Sequence, residues 1–278
     1  MTWQDIEHIF NRSLEFSFSK KKLLFMFPIL VICGVMLVFC RALAINAGQW
    51  VVLSLTFLPI FLSSGLLLSS GVVLARFYHN EVKMLPVSFK KIFSQSWELL
   101  IGVSYLTFPL LLAYLLLWML MGIFYLLKAT PAFGELLGVI LAFGPFLLVL
   151  GSLVLSFCNL FILFFATPHI ALKSSMKLKL AEDVLKRFTN NIFSNLALFI
   201  FGLLPLLIIV SILSLAAFLT GINFFVRTET LGIALQWFFI MIPFCAILSP
   251  GIIFFFNFSV ESYALILKKK PGVRSFES

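Results

Sequence analysis

Charge is what this 278-residue chain has least of: Asp, Glu, Lys and Arg make up only 11% of it, against roughly 25% in soluble domains. That scarcity excludes a soluble globule and a charge-rich disordered chain. Cysteine is sparse as well. The four present, Cys33, Cys40, Cys158 and Cys245, lie inside apolar runs and show no CxxC or similar ligand spacing. They imply neither a disulfide framework nor structural zinc. Histidine occurs at His8, His79 and His169, never paired at i, i+3 or i+4, which argues against a metal site. HExxH, GxSxG and GxxxxGK[ST] are missing too, and with them the usual marks of a zinc hydrolase, a nucleophile elbow or a phosphate loop. The adjacent acidic pair Glu182-Asp183 diverges around a helix rather than converging for acid–base work. No enzyme, no cofactor and no metal centre is expected.

What the chain has is apolar surface. AVILMFWYC account for 62% of it, Phe alone occurs 35 times, and the mean hydropathy is +1.14. Several runs exceed the roughly 20 residues needed to cross a bilayer. Six spans are read, at 23–45, 50–74, 99–127, 136–166, 192–220 and 231–260. The runs are continuous rather than alternating, so the spans are α-helices and not strands of a barrel. The longer ones outrun a hydrocarbon core of about 30 Å and must tilt, kink or protrude. Pro59, Pro109, Pro145, Pro205, Pro243 and Pro250 are the expected kinks. The fold class is all-α: a polytopic integral membrane protein forming one transmembrane domain over 1–278.

Lys20-Lys21-Lys22 ahead of the first run, and Ala42-Leu43-Ala44 after it, invite a signal-peptide reading. The apolar stretch 23–40 is longer than a normal h-region and 22 residues precede it, so an uncleaved first helix is expected.

The net charge of +9 is not spread evenly. Seventeen of the twenty Lys and Arg fall in the amino-terminal segment, the second-to-third and fourth-to-fifth connections, and the tail. Arg41, Lys128 and Arg227 are the rest. The positive-inside rule therefore puts both termini in the cytoplasm, and the charge is a topological layer rather than a nucleic-acid surface.

Short connections on the other side join the spans into three hairpins. Weak internal similarities suggest a pseudo-threefold parallel repeat. Residues 90–112 sit over 186–208, and 9–16 over 92–99. The even-numbered spans share a proline with a glycine further on: Pro59 and Gly65, Pro145 and Gly151, Pro243 and Gly251. Amphipathic stretches precede the odd spans. Trp3, Ile6, Phe10 and Leu14 form one stripe, Val184, Phe188 and Ile192 a second, and Phe89, Ile92, Phe93 and Trp97 a shorter third. Such helices either lie flat at the headgroups or rest on the ends of the bundle.

Two sets of candidate functional residues follow. Glu98, Asn159, Asn195 and Asn257 form a thin polar layer near the cytoplasmic ends of the spans. They would line a cytoplasm-facing cavity or act as interhelical hydrogen-bond glue. Lys177, Lys179, Lys186 and Arg187 are the candidate contacts to anionic headgroups. Ionisable groups avoid the middle of every span, which argues against a proton-coupled transporter.

The stretch FFATPHIALKSSMKLKLAEDVLKRFTNNIFSNLALFIFGLL (164–204) has a span ending at Pro168, a basic amphipathic segment and a polar patch before the next span. It resembles bacterial six-helix inner-membrane proteins related to the membrane domain of glycerophosphodiester phosphodiesterases. The resemblance implies an all-helical protein of the bacterial cytoplasmic membrane with cytoplasmic termini. No catalytic domain is present, so no activity is implied. Mitochondrial carriers share the outline, but Pro28, Pro109 and Pro205 lack their Px[DE]xx[KR] motif. The expected function is non-enzymatic, organising lipids or partner proteins at the membrane. Membrane lipids with anionic headgroups, and a membrane protein, are the expected partners. Permease-like movement of a small or lipid-like solute is the alternative.

Overall fold

A computed structural model describes residues 3–45, 47–85, 92, 94, 102–103, 105–128, 143–173, 192–220 and 231–268. Seven helices are found among them: α1 (Trp3–Glu15), α2 (Lys20–Leu43), α3 (Gln49–Val82), α4 (Phe108–Lys128), α5 (Gly144–Lys173), α6 (Ile192–Leu219) and α7 (Leu231–Lys268). Short 3-10 turns, Phe16–Phe18 and Tyr105–Thr107, lead into α2 and α4. Six helices, all but α1, are long and apolar enough to cross a membrane. The chain is an all-α polytopic membrane protein. Residues 3 and 268 lie at the same end of the bundle, the proximal end; the other end is distal.

The helices outlast their apolar runs. α3 continues eight residues past the expected end at Leu74, and α5 and α7 run on to Lys173 and Lys268. With 34 and 38 residues, α3 and α7 are about 51 and 57 Å long at 1.5 Å per residue. Their last turns extend beyond a core of about 30 Å, which places polar side chains on rigid helices at the proximal end. Two prolines expected to kink their helices instead open them: Pro109 and Pro145 fall in the first turns of α4 and α5. There the missing N–H is one that no helical carbonyl would have accepted. Pro168, expected to end its span, lies inside α5. Pro59, Pro205, Pro243 and Pro250 are interior, as is Pro28.

Consecutive spans pair as three hairpins, α2–α3, α4–α5 and α6–α7. The second helices, α3, α5 and α7, all contact one another at the centre. Each first helix packs on its own partner and on the second helix of another hairpin. α2 reaches α7 and α4 reaches α3. α6 reaches α5 through Phe199, whose ring meets Phe157, Phe161 and Phe164 at 5.4–5.5 Å. This cyclic order is the arrangement a parallel threefold repeat would produce. Pro59, Pro145 and Pro243 are each followed fourteen residues later by a buried residue: Val73, Asn159 and Asn257. The helical setting of the prolines nevertheless differs, since Pro145 opens its helix and the other two do not.

Close approach at the centre depends on missing side chains. A Cβ on Gly71 of α3 would lie 2.3 Å from Cε1 of Phe256 on α7, and one on Gly202 of α6 would lie 2.7 Å from the Phe164 ring and 3.0 Å from that of Phe258. Phenylalanine fills the volume so released: Phe164, Phe199, Phe254, Phe256 and Phe258 are all buried in the main core. Between helices in lipid, such packing replaces the hydrophobic drive that water supplies elsewhere.

α1 rests on the bundle. Phe10 meets Phe254 at 4.9 Å and Phe258 at 6.2 Å, while Trp3 meets Phe201 of α6 at 5.5 Å. Phe16, just beyond α1, meets Tyr78 of α3 at 5.7 Å. The amino-terminal segment therefore crosses α7 from the α6 side to the α3 side before turning into α2. Its buried face overlaps the predicted stripe only in part. Ile9 and Ser13 are buried, whereas Trp3 and Leu14 of the expected stripe are exposed.

Candidate functional site at the proximal end

The three central helices are tied pairwise by polar bonds in their last turns. Arg76 Nε of α3 donates to the Ala171 carbonyl of α5 at 3.2 Å. The Tyr263 hydroxyl of α7 lies 3.3 Å from His169 Nδ1 of α5, and Ser259 donates to the Phe164 carbonyl. The Tyr78 hydroxyl of α3 donates to Glu261 Oε1 of α7 at 2.6 Å. The belt closes on itself: α3 to α5, α5 to α7, α7 to α3.

The amino-terminal segment joins this belt. Arg12 Nη1 lies 3.6 Å from Glu261 Oε1, so one carboxylate holds both α1 and α3 to α7. The Asn257 amide, fully buried, donates to the Ser13 carbonyl and to Ser17 Oγ, both at 3.4 Å. Ser17 itself donates to the Ser13 carbonyl at 2.6 Å. Both groups facing Asn257 are thus acceptors, which requires the amide nitrogen there.

Lys22 completes the site. Its side chain has no exposed surface, and Nζ lies 2.6 Å from Glu81 Oε2. It donates to the Phe16 carbonyl at 3.1 Å and lies 4.9 Å from the ring centroid of Tyr78, 5.6 Å from that of Phe16 and 5.7 Å from that of Phe77. A lysine in the first turn of α2 opposes that helix's own dipole, while the end of α3 favours a cation. α3 stops in a Schellman motif: Leu85 N–H donates to Asn80 O and Met84 N–H to Glu81 O, each at 3.0 Å, with Met84 at φ 54°. The backbone beneath Glu81 is fixed by that turn.

Of the candidate cavity residues, Asn257 is committed to the amino-terminal segment. Asn159 is buried, and its Oδ1 has no hydrogen-bond partner among the described residues. It lies seven residues after Ser152, on the helical face that meets α4 where Trp118 Nε1 donates to Ser152 Oγ at 3.2 Å. Asn195 is buried in the first turn of α6, one turn before Phe199. Phe199 meets Phe157 and Phe161, on the side of α5 opposite Asn159. Glu98 lies outside the described residues, as do all four candidate lipid contacts, Lys177, Lys179, Lys186 and Arg187. Among the described residues no three His, Cys, Asp or Glu side chains gather as metal ligands do.

Tyr78, Glu81, Ser13 and Ser17 were not legible as site residues. A lysine at a helix start, against the dipole, was the one local sign that Lys22 has a partner. Replacing Tyr78 by Phe keeps the ring against Phe16 and removes the hydroxyl that bonds Glu261. Unfolding free energy should fall by about 2 kcal/mol, the range for a hydrogen bond to a charged group, read as a lower midpoint in detergent-induced unfolding. An unchanged midpoint would mean that this bond contributes nothing.

Compared with protein-family models, curated proteins and solved structures, the chain matches none.

Proposed function

We propose that the chain is a non-enzymatic membrane protein that organises lipids or partner proteins through a basic end facing the anionic cytoplasmic leaflet. The observation that carries this reading is the charge arrangement. Of the described Lys and Arg, eight are proximal (Arg12, Lys20, Lys21, Lys22, Arg76, Lys83, Lys173 and Lys268), and only Arg41 and Lys128 are distal. The sequence between α5 and α6 carries Lys177, Lys179, Lys186 and Arg187, outside the described residues. Basic residues beside anionic lipid are worth about 1 kcal/mol each. The polar groups that a permease would need around one cavity support the same reading. Asn257, Tyr78 and Glu261 hold helices together.

The test is lipid retention by the purified full chain in mixed phosphatidylglycerol and phosphatidylcholine, read by native mass spectrometry. The variant combines Lys177→Gln, Lys179→Gln, Lys186→Gln and Arg187→Gln. Its preference for phosphatidylglycerol should fall on the order of tenfold. An unchanged preference would remove the lipid-organising reading.

A further inference from the structure

The surroundings of Lys22 are those of an ammonium-recognition site: three aromatic faces, a carboxylate, a backbone carbonyl and the negative end of a helix. Phe77, Tyr78 and Glu81 lie on the last two turns of α3, while Phe16 and Lys22 belong to the amino-terminal segment. Nζ is enclosed, yet the Glu81 side chain remains 19% exposed. That exposure sets the pair at the margin of the bundle, with Oε2 itself buried. The occupant is covalently part of the segment that crosses α7, so filling the cage and docking that segment are one event.

We propose that Phe16, Phe77, Tyr78 and Glu81 form a binding site for a primary alkylammonium, filled by Lys22 as a tethered ligand, and that its occupation holds residues 3–22 on the bundle. A primary ammonium suits the site better than a quaternary one. Glu81 and the Phe16 carbonyl both lie within reach of N–H donors, which a quaternary ion lacks. A soluble amine and the ethanolamine headgroup of a phospholipid carry the same chemistry.

The experiment uses the full chain carrying Lys22→Ala in phosphatidylcholine nanodiscs, with amide hydrogen exchange read over residues 3–22. Exchange in α1 should quicken on the order of tenfold relative to the unaltered chain. Ethylammonium at tens of millimolar should return most of the protection. Tetramethylammonium or sodium chloride at equal ionic strength should not, and Lys22→Ala with Glu81→Gln should resist rescue. Rescue by phosphatidylethanolamine nanodiscs without added amine supports the site with lipid as its source. Rescue by ethylammonium alone supports it with a soluble source. Wild-type protection in Lys22→Ala, equal rescue by salt, or rescue that survives Glu81→Gln would each overturn the proposal. If Lys22→Ala aggregates, ethylammonium present throughout extraction must restore a monodisperse peak; failure to do so overturns the proposal as well.

Discussion

Replacing Glu81 by Gln should lower the unfolding free energy by about 3 kcal/mol, because it leaves the buried Lys22 ammonium without its counter-charge. The figure is placed at the low end of about 3–5 kcal/mol for broken buried pairs, since the Glu81 side chain keeps 19% of its surface while Lys22 keeps none. Three aromatic rings and the Phe16 carbonyl still face the ammonium, and they do not neutralise it. Lys22→Met should be damaging by a similar route, leaving the Glu81 carboxylate without the cation 2.6 Å away. The double variant, Lys22→Met with Glu81→Gln, should recover to within about 1 kcal/mol of the original, because it leaves neither charge buried without its partner. A double-mutant cycle on detergent-induced unfolding measures this. Two single losses under about 0.5 kcal/mol that simply add would show an ordinary surface pair instead. High salt should leave the coupling largely intact, since buried pairs are weakly screened.

Gly71→Ala should be nearly as harmful, with a loss of about 2–3 kcal/mol from overpacking at the α3–α7 contact. The added methyl would meet three atoms of one ring, Cε1 at 2.3 Å, Cζ at 2.7 Å and Cδ1 at 2.8 Å. Phe256 is only 1% exposed, so its ring has no open space to move into. The better helix propensity of alanine, about 1 kcal/mol, offsets part of the penalty without reversing it. Gly71→Ala combined with Phe256→Leu should regain much of the stability lost. Gly122→Ala is the control, since nothing lies within 4 Å of its would-be Cβ; free of steric cost, it should raise stability by up to about 1 kcal/mol. Equal midpoints for Gly71→Ala and Gly122→Ala would show that α3 and α7 do not depend on this close approach.

Helices, their number and their pairing into hairpins could be read from the chain because an apolar run in lipid has few alternatives. Helix ends were less legible. The turns carrying Arg76, Tyr78 and Glu81 are polar enough to end an apolar run, yet they continue α3 to Val82 because tertiary bonds hold them. Hydrophobicity selects Trp3, Ile6, Phe10 and Leu14 on α1; Phe10 packs on α7 as that stripe requires, whereas the most buried positions are Ile9 and Ser13 and Leu14 is exposed. Asn257 and Glu261 were visible as polar residues near a span end. Their partners were not, because a bond between Asn257 and Ser13 spans 244 positions and leaves no local periodicity. Lys22 was read as one of three topology-setting lysines, which Lys20 and Lys21 resemble in type and spacing. Only the position of Glu81 on another helix distinguishes it.

The docking of α1 has a consequence for how the bundle assembles. Its main support, Phe254, Asn257, Phe258 and Glu261, lies on α7, with Ser13 and Asn257 separated by 244 positions. Until α7 is in place, α1 lacks most of its seat. A seated α1 therefore marks a molecule whose α6–α7 hairpin has joined the bundle.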